Sequence, residues 1–385
     1  MPKKSREEAA ASRRDFLKAA AAGAALASVP ALAAVRANEP PSDPTKKKTL
    51  LILGGTRFLG PALVESAKKA GWSITLFNRG KSNPGRFPEL EQLHGDRNES
   101  TKPLEGRKWD AVVDTSGYFP RQIRSAMESL KGNIGQYVFI SSISVYADMS
   151  TPCDESSKVA TTKDENAEKV TGENYGALKA LCEQAAEKAM PGRVTNIRPG
   201  LIVGPDDGSD RFTYWPVRVA RGGDVLAPGA PPDPVQFIDV RDLADFTIRC
   251  LDTKTTGVFN ANGPAKPLGI GGLLDSCKSV SGSDAKFIWV PASFLEEQKV
   301  EAWSDMPVWL PPTGETAGAN STSIARAMAK GLAFRPITVT VKDTLEWWRT
   351  LPKERQEKMK SGLTAAREAA VLEAWREKRA GKAAS

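Results

Sequence analysis

The chain has 385 residues, of which 40% are hydrophobic and 26% charged, and its formal net charge is +8. Its length exceeds one typical domain and suffices for a large core, and its ordinary composition excludes disordered and collagen-like classes. His94 is the only histidine, and the four cysteines show no metal-ligand spacing. We therefore predict no metal site and no serine–histidine catalysis.

The first 37 residues have the pattern of a twin-arginine export signal. Arg13 and Arg14 stand in the segment SRRDFLK, and an alanine-rich apolar run follows to residue 34. The segments Ala31-Leu32-Ala33 and Val35-Arg36-Ala37 both suit the small-residue rule for cleavage of a signal peptide. We predict a signal peptide over residues 1–37, export to the periplasm, and the twin-arginine translocase as a partner during export. An uncleaved signal that acts as an anchor stays open.

Removal of the signal changes the charge balance of the mature chain. Residues 1–37 hold seven basic and three acidic side chains, so a charge of +4 remains. This balance requires neither nucleic acid nor a membrane surface as a partner. No later segment approaches the length of an apolar membrane span, and we expect none in the mature chain.

A glycine loop follows the first predicted strand, which covers residues 49–53 after a linker at residues 38–48. The loop precedes a helical segment with Pro in its first turn. In this context backbone N–H groups and the helix N-terminus bind the pyrophosphate of a dinucleotide, although an ordinary βα turn is an alternative. The first and last glycines would supply the tight turn and the close packing of helix on strand, while an arginine replaces the usual middle glycine. The loop residues predicted to bind the cofactor are Gly54, Thr56, Arg57, Phe58, Leu59 and Gly60.

The second predicted strand, residues 73–77, ends at a basic turn rather than at an acidic residue. An acidic side chain about 20 positions after the glycine loop would bind the ribose hydroxyls of NAD. Asn78, Arg79 and Lys81 stand there instead. Cations at this place suit the 2′-phosphate of NADP, and Arg57 could reach the same group. We predict NADP as the cofactor, with NAD as the second choice; a solvated turn that contacts nothing is the alternative.

Strands and helices alternate through the next part of the chain, which indicates an α/β fold with a doubly wound parallel sheet, the Rossmann fold. A helix predicted at 175–188 separates the last two of three further strands, at 109–114, 136–140 and 194–198. After residue 200 proline, glycine and aromatic residues become dense. We predict a Rossmann domain at 49–200 with returns near 235–262, a smaller interleaved substrate lobe at 201–350, and a charged helical tail at 351–385 whose apolar side carries Leu363, Val371 and Trp375.

Tyr175 and Lys179 are the residues that point to chemistry. Their spacing of four places the phenol and the ammonium on one face of the predicted helix. An adjacent ammonium favours the phenolate, so we expect Lys179 to lower the pKa of Tyr175 and allow proton exchange near neutral pH. Ser141 and Ser142 end the preceding buried strand, where a serine could hold the substrate oxygen.

Together these motifs resemble the short-chain dehydrogenase/reductase superfamily, in particular its NAD-dependent epimerase/dehydratase branch, over about residues 49–350. The resemblance implies that Ser142 is the catalytic serine, Tyr175 the acid/base, and Lys179 the residue that holds the nicotinamide ribose. It also implies an adenine contact at Asp96, a cofactor contact at Thr115 and a place beside the nicotinamide for Pro199. Relatives often dimerise through a four-helix contact, so a homodimer is expected by analogy. The motifs that carry the resemblance are the glycine loop, Gly95-Asp96, residues 141–146, Tyr175 with Lys179, residues 198–205 and residues 237–242.

The resemblance implies an exported NAD(P)-dependent oxidoreductase or epimerase that transfers hydride at a carbinol or carbonyl carbon. Because nucleotide sugars are not expected outside the cytoplasm, we predict another carbohydrate-like substrate and a cofactor that stays tightly bound. A non-catalytic cofactor-binding scaffold and an RNA-binding member of the family are the alternatives. Either stacking on a sugar ring or packing in the core would suit the aromatic residues Phe212, Tyr214, Trp215 and Trp303.

Overall fold

A parallel β-sheet forms the centre of the computed structural model, which describes residues 47–383. The predicted signal peptide and nearly all of the predicted linker lie outside the described residues. The strands are β1 (Thr49–Leu53), β2 (Ser73–Asn78), β3 (Glu91–His94), β4 (Trp109–Asp114), β5 (Ile134–Ile140), β6 (Val194–Pro199), β7 (Ile202–Val203), β8 (Asp224–Pro228), β9 (Ile238–Asp239), β10 (Gly257–Ala261) and β11 (Lys286–Val290).

Helices connect the strands of the sheet and cover both of its faces. The helices of the described residues are α1 (Leu59–Lys69), α2 (Pro120–Leu130), α3 (Tyr175–Ala189), α4 (Tyr214–Ala220), α5 (Val240–Asp252), α6 (Ile270–Ser281), α7 (Ala292–Glu297), α8 (Ala325–Ala329), α9 (Ile337–Thr350), α10 (Lys353–Gln356) and α11 (Ala365–Ala383).

Seven strands make up the main sheet in the order β10-β6-β5-β4-β1-β2-β3, and all neighbours are parallel. From β1 the chain moves outward to β2 and β3 and then returns to β4 on the other side of β1. This reversal leaves a crevice at the carboxyl ends of β1 and β4, where ligands of such sheets bind. The doubly wound parallel sheet predicted from the sequence is confirmed.

Alternating residues of each strand face opposite sides of the sheet, as the two-residue period of a strand requires. In β1, Leu50 and Ile52 belong to the apolar cluster under α1 and α5, whereas Leu51 and Leu53 belong to the cluster under α2 and α3. All four side chains are fully buried. Burial on both faces explains why these strands have continuous apolar sequences.

A second large core lies within residues 201–375. It contains the two-stranded parallel sheet of β8 and β11, the helices α4 and α6, and the aromatic residues Phe212, Tyr214 and Trp215. These three aromatic side chains are almost fully buried, so the possibility that they stack on a sugar ring is wrong and they pack in the core. The division of the chain into a Rossmann domain and a substrate lobe stays a prediction.

The helical tail is present, and it contributes to the second core. Val371 and Leu372 of α11 are buried there, and the Glu368 carboxylate accepts hydrogen bonds from Leu226 N at 2.9 Å and from Arg218 Nε at 2.5 Å. Leu363 and Trp375 also pack against this core, as predicted. The tail is interrupted between α10 and α11, where residues 357–364 are not helical.

The cysteines are buried and unpaired, and three of them lie in helices. Burial raises the pKa of Cys182 and of Cys250 to about 12, and it raises the pKa of Cys277 further. Such thiols pack as small apolar groups. Within residues 47–383, no helix is long and apolar enough to cross a membrane.

Candidate active site

The glycine loop connects β1 to α1 with two positions that no other residue would fit well. Gly54 has φ +111°, and a Cβ there would lie 2.3 Å from Oγ1 of Thr115. At Gly60, in the first turn of α1, a Cβ would lie 2.3 Å from Cα of Gly55. The first glycine therefore supplies the turn and the last allows α1 to approach the loop.

A cavity of about 500 Å³ lies over this loop, at the carboxyl ends of β1, β4 and β5. Most of the predicted cofactor residues line it, whereas Gly60 and Pro199, and the predicted catalytic residue Ser142, are not part of the lining. The predicted residues that line it are Gly54, Thr56, Arg57, Phe58, Leu59, Asn78, Arg79, Asp96, Thr115, Tyr175 and Lys179.

One end of the cavity is formed by the residues that follow β2 and β3. Arg79 is 57% exposed, and its Nη1 lies 3.8 Å from Oδ2 of Asp96. Arg57 and Lys81 are exposed and line the same cavity. The side-chain oxygen of Asn78 accepts a hydrogen bond from Gly80 N at 2.7 Å, and its amide donates to Gln92 at 3.1 Å. This end is thus rich in cations, and the acceptor of Asn78 is already engaged.

Tyr175 is the first residue of α3 and lies at the other end of the cavity. Burial raises the pKa of its phenol above the usual value of 10, although the nearby Ser142 hydroxyl opposes this effect. The expected lowering of the pKa of Tyr175 is wrong for this structure, because desolvation outweighs the favourable interactions. In this environment the phenol is protonated at neutral pH.

Ser142 caps the short 3₁₀ turn Ile143–Val145 after β5. Its Oγ accepts a hydrogen bond from Ser144 N at 3.1 Å and donates to Ser144 Oγ at 3.0 Å. The side chain is 9% exposed. The turn therefore fixes the Ser142 hydroxyl beside the Tyr175 phenol.

Lys179 lies one helical turn after Tyr175, and its ammonium is held by backbone carbonyls. Nζ donates to Gly117 O at 2.9 Å and to Ile140 O at 2.6 Å, and it lies 4.1 Å from the centre of the Phe139 ring. Burial lowers the pKa of Lys179 to about 8. Because an ammonium group has three donors, one N–H remains for a ligand in the cavity.

Pro199 ends β6 at the same edge of the sheet, where it is buried and pairs with Ala261 of β10. Thr115, for which the resemblance implies a cofactor contact, lines the cavity. Its hydroxyl donates a hydrogen bond to Leu53 O at 2.9 Å.

Sequence reasoning named Ser141 only as one of the two serines that end the strand, and it missed several other residues of this site. Ser141 lines the cavity, and its buried Oγ has no hydrogen-bond partner among the described residues. Tyr118 and Ile202 also line the cavity. Arg97 lines the cavity as well, and it forms a buried ion pair with Asp114. In the sequence, the only sign of this pair is Asp114, a charged residue at the end of an apolar strand.

Comparison with known proteins agrees with this geometry. Residues 50–261 match the family model described as the NAD dependent epimerase/dehydratase family, and residues 11–30 match the twin-arginine translocation pathway signal sequence. The chain thus carries a signal for export through the twin-arginine pathway, as predicted, which is consistent with a periplasmic location.

Two curated relatives are similar over part of the chain. The chloroplast stem-loop binding protein of 41 kDa b from Arabidopsis thaliana is 27% identical over 258 residues, which are 62% of this chain and 64% of that protein. The epimerase family protein SDR39U1 from Bos taurus is 25% identical over 238 residues, 56% of this chain and 74% of that protein. The match therefore spans just under two thirds of the first relative.

Solved structures share the fold at low sequence identity. The UDP-glucuronic acid 4-epimerase from Bacillus cereus in complex with NAD superposes with a TM-score of 0.58 at 13% identity, covering 79% of this chain and 98% of that chain. The UDP-N-acetylglucosamine 4-epimerase from the same organism has a TM-score of 0.58 at 17% identity, covering 80% and 98%.

Proposed function

Because this chain belongs to the NAD dependent epimerase/dehydratase family, we propose that it is an exported NADP-dependent oxidoreductase or epimerase. Its substrate is a sugar-like molecule that reacts at a carbinol or carbonyl carbon. One observation carries the proposal: the glycine loop, Tyr175 and Lys179 line a single cavity of about 500 Å³.

The residues at the two ends of the cavity support the binding of a dinucleotide. The loop that follows Gly54 and the N-terminus of α1 would offer N–H groups to a pyrophosphate. At the other end, the third N–H of the Lys179 ammonium is available to a ribose hydroxyl oxygen. A bound nicotinamide would supply hydride transfer at the carbon of the substrate.

Tyr175 would exchange the proton of the substrate oxygen. A protonated phenol, which burial favours here, is the form that donates to a carbonyl oxygen during reduction. In the opposite direction the phenolate is needed, and the Lys179 ammonium supports it only while Lys179 is charged. Ser142 would hold the same oxygen by a hydrogen bond once its hydroxyl turns away from Ser144 Oγ, to which it donates here.

The preference for NADP over NAD rests on the cations at the adenosine end. Arg57, Arg79 and Lys81 line the cavity there, and arginine recognises phosphate through paired N–H groups. Asn78 takes the position of the usual acidic residue, and its side-chain oxygen already accepts a hydrogen bond from Gly80 N. A ribose hydroxyl therefore lacks the carboxylate that NAD enzymes provide.

Export limits the chemistry that the protein can perform. A nucleotide carried out with the folded chain is not replaced from the periplasm, so it must stay bound and be regenerated within the cavity. Epimerisation, or reduction of one substrate coupled to oxidation of another, satisfies this requirement. Free or polymer-derived sugars and polyols are the substrate class that we propose.

The test is a single-turnover screen of the purified full chain. Sugars, uronic acids and polyols are mixed with the nucleotide-loaded protein while absorbance at 340 nm is recorded, and the recovered compounds are separated by chromatography because epimerisation leaves no lasting change at 340 nm. A substrate should change the absorbance or be converted to an epimer in the wild type, not in Tyr175→Phe, and normally in Tyr214→Phe, which loses a phenol hydroxyl in the second core. Equal turnover by Tyr175→Phe would refute the assignment of Tyr175. Bound nucleotide with no turnover in any variant would favour the non-catalytic scaffold.

RNA binding is a second candidate, because the relative from Arabidopsis thaliana is named a stem-loop binding protein. Salt-dependent binding of a stem-loop RNA, measured by fluorescence anisotropy, would support it.

A homodimer, expected by analogy, also stays a prediction. Sedimentation of the exported protein would test it.

A further inference from the structure

Arg97 lines the cavity and forms a buried ion pair with Asp114. Nη1 of Arg97 lies 2.5 Å from Oδ2 of Asp114, and Tyr137 OH donates to the same oxygen at 2.6 Å. Arg97 is 9% exposed and Asp114 is not exposed at all. A charge pair so deeply buried costs desolvation energy and is therefore weak evidence of a role in stability alone.

The pair also holds the turn that follows β4. Nη2 of Arg97 donates to Ser116 Oγ at 2.9 Å, and Oδ1 of Asp114 accepts from Ser116 N at 2.9 Å. The next residue is Gly117, whose carbonyl accepts the hydrogen bond from Lys179 Nζ at 2.9 Å. Two hydrogen bonds to Ser116 and one to Gly117 thus connect the ion pair to the Lys179 ammonium.

Gly117 leaves little freedom in this connection. A Cβ at this position would lie 2.6 Å from Cδ1 of Ile123 and 3.3 Å from Oδ2 of Asp114. The turn is thus packed between α2 and the ion pair, and a displacement of Asp114 would move the Gly117 carbonyl. The second acceptor of Lys179, Ile140 O, belongs to β5 and does not depend on the turn.

Several charged and titratable groups face Lys179. The Asp114 carboxylate favours its charged form and the Arg97 guanidinium disfavours it, with Glu183 of its own helix acting like Asp114. The Cys182 thiol of the same helix also faces Lys179, and it is neutral below its pKa of about 12. Glu183 is itself paired with Arg198 from β6 at 2.6 Å. The rings of Tyr118 and Phe139 lie 5.6 Å and 4.1 Å from Nζ, Tyr137 contacts Asp114, and Tyr175 stands one turn away.

We propose that Arg97 and Asp114 are positioning residues for Lys179: together they fix the Ser116–Gly117 turn that holds its ammonium, and separately their opposite charges act against each other on its protonation. This inference rests on the proposed function, because it is tested through nucleotide binding. It assigns a role to Asp114, which is not part of the cavity lining, and to Arg97, which lines the cavity.

The test is the pH dependence of NADPH binding, measured by fluorescence titration of the full chain from pH 6 to pH 10. Affinity should fall on the order of tenfold or more as Lys179 loses its charge and its third donor. Asp114→Asn should move this decrease to lower pH, and Arg97→Gln should move it to higher pH, each by roughly one unit. The double variant should lie near the wild type.

Tyr137→Phe is the matched control, because it removes a hydrogen bond to Asp114 without changing a charge. It should lower stability and leave the midpoint in place. If Arg97→Gln does not fold, Arg97→Lys keeps the charge and loses the Ser116 contact, so it should weaken binding without shifting the midpoint.

The outcomes separate the two claims. If the wild type binds neither NADPH nor NADH, the proposed function fails and the inference fails with it. If the wild type binds NADPH but Asp114→Asn and Arg97→Gln show the same midpoint, or shift it in the same direction, the inference is overturned and the proposed function stands. A shift of the Arg97→Lys midpoint as large as that of Asp114→Asn would overturn it as well.

Discussion

Arg79 and Asp96 face each other at the adenosine end of the cavity, with Nη1 of Arg79 3.8 Å from Oδ2 of Asp96. The resemblance assigns Asp96 to adenine, and the basic turn assigns Arg79 to a 2′-phosphate. Because a long, exposed ion pair contributes little free energy, the guanidinium can turn to a phosphate at small cost. One pair of residues can thus serve two neighbouring groups of one nucleotide.

Arg79 should determine the choice of nucleotide. Arg79→Ser removes a charged donor to the 2′-phosphate, so we expect affinity for NADPH to fall on the order of tenfold to a hundredfold. Affinity for NADH should change little. Arg124→Ser, on the exposed face of α2, is the control and should bind both nucleotides normally. Equal losses for NADPH and NADH would contradict the assignment.

Gly60 should tolerate no side chain. In Gly60→Ala the new Cβ would lie 2.3 Å from the Gly55 backbone, so the loop or α1 must move, at a cost of about 1–3 kcal/mol in the free energy of unfolding. Nucleotide affinity should fall with it. Gly85→Ala, where a Cβ meets nothing within 4 Å, is the control. Urea denaturation and NADPH titration measure both effects, and equal behaviour of the two variants would show that the loop is not closely packed.

Arg198 and Glu183 should behave as a coupled pair. Nε and Nη2 of Arg198 donate to the two oxygens of Glu183 at 2.9 Å and 2.6 Å, with both side chains buried. Arg198→Met leaves a buried carboxylate without its cation, so we expect a loss of about 3–5 kcal/mol. Adding Glu183→Leu should recover most of it. Losses that simply add in the double variant would contradict the coupling.

The buried ammonium of Lys179 should make stability rise with pH. Burial lowers its pKa from 10.5 in a solvated chain to about 8. Between these values the folded chain binds fewer protons at this position than the unfolded chain, so the free energy of unfolding increases. Relative to Lys179→Met, the nucleotide-free wild type should gain up to about 3 kcal/mol between pH 8 and pH 10. A constant difference between the two proteins over this range, measured in urea, would contradict it.

The features that could be predicted from the sequence involve residues that lie close together along the chain. The glycine loop lies between a strand and a helix within a dozen residues, and Tyr175 and Lys179 are one helical turn apart. The period of apolar residues then places these segments in a parallel sheet, whose carboxyl edge collects the loops. This is why most of the predicted cofactor residues line one cavity.

Other features depend on contacts that no local pattern encodes. Arg97 follows β3, which is separated from β4 in the sheet by β2 and β1, so its contact with Asp114 arises only in the folded chain. The partners of Lys179 are backbone carbonyls, which have no sequence signature. The pKa of Tyr175 was expected to fall because of a neighbouring charge, but the depth of burial decides it.

The central claim is that a pyridine nucleotide occupies the cavity between the glycine loop and Tyr175. The most direct measurement is to purify the folded full chain, denature it, and identify any released nucleotide by mass spectrometry, with calorimetric titration of NADPH and NADH on the stripped protein. We expect NADP or NADPH at close to one per chain, and tighter binding of NADPH than of NADH. A protein that releases no nucleotide and binds neither at millimolar concentration would contradict the account.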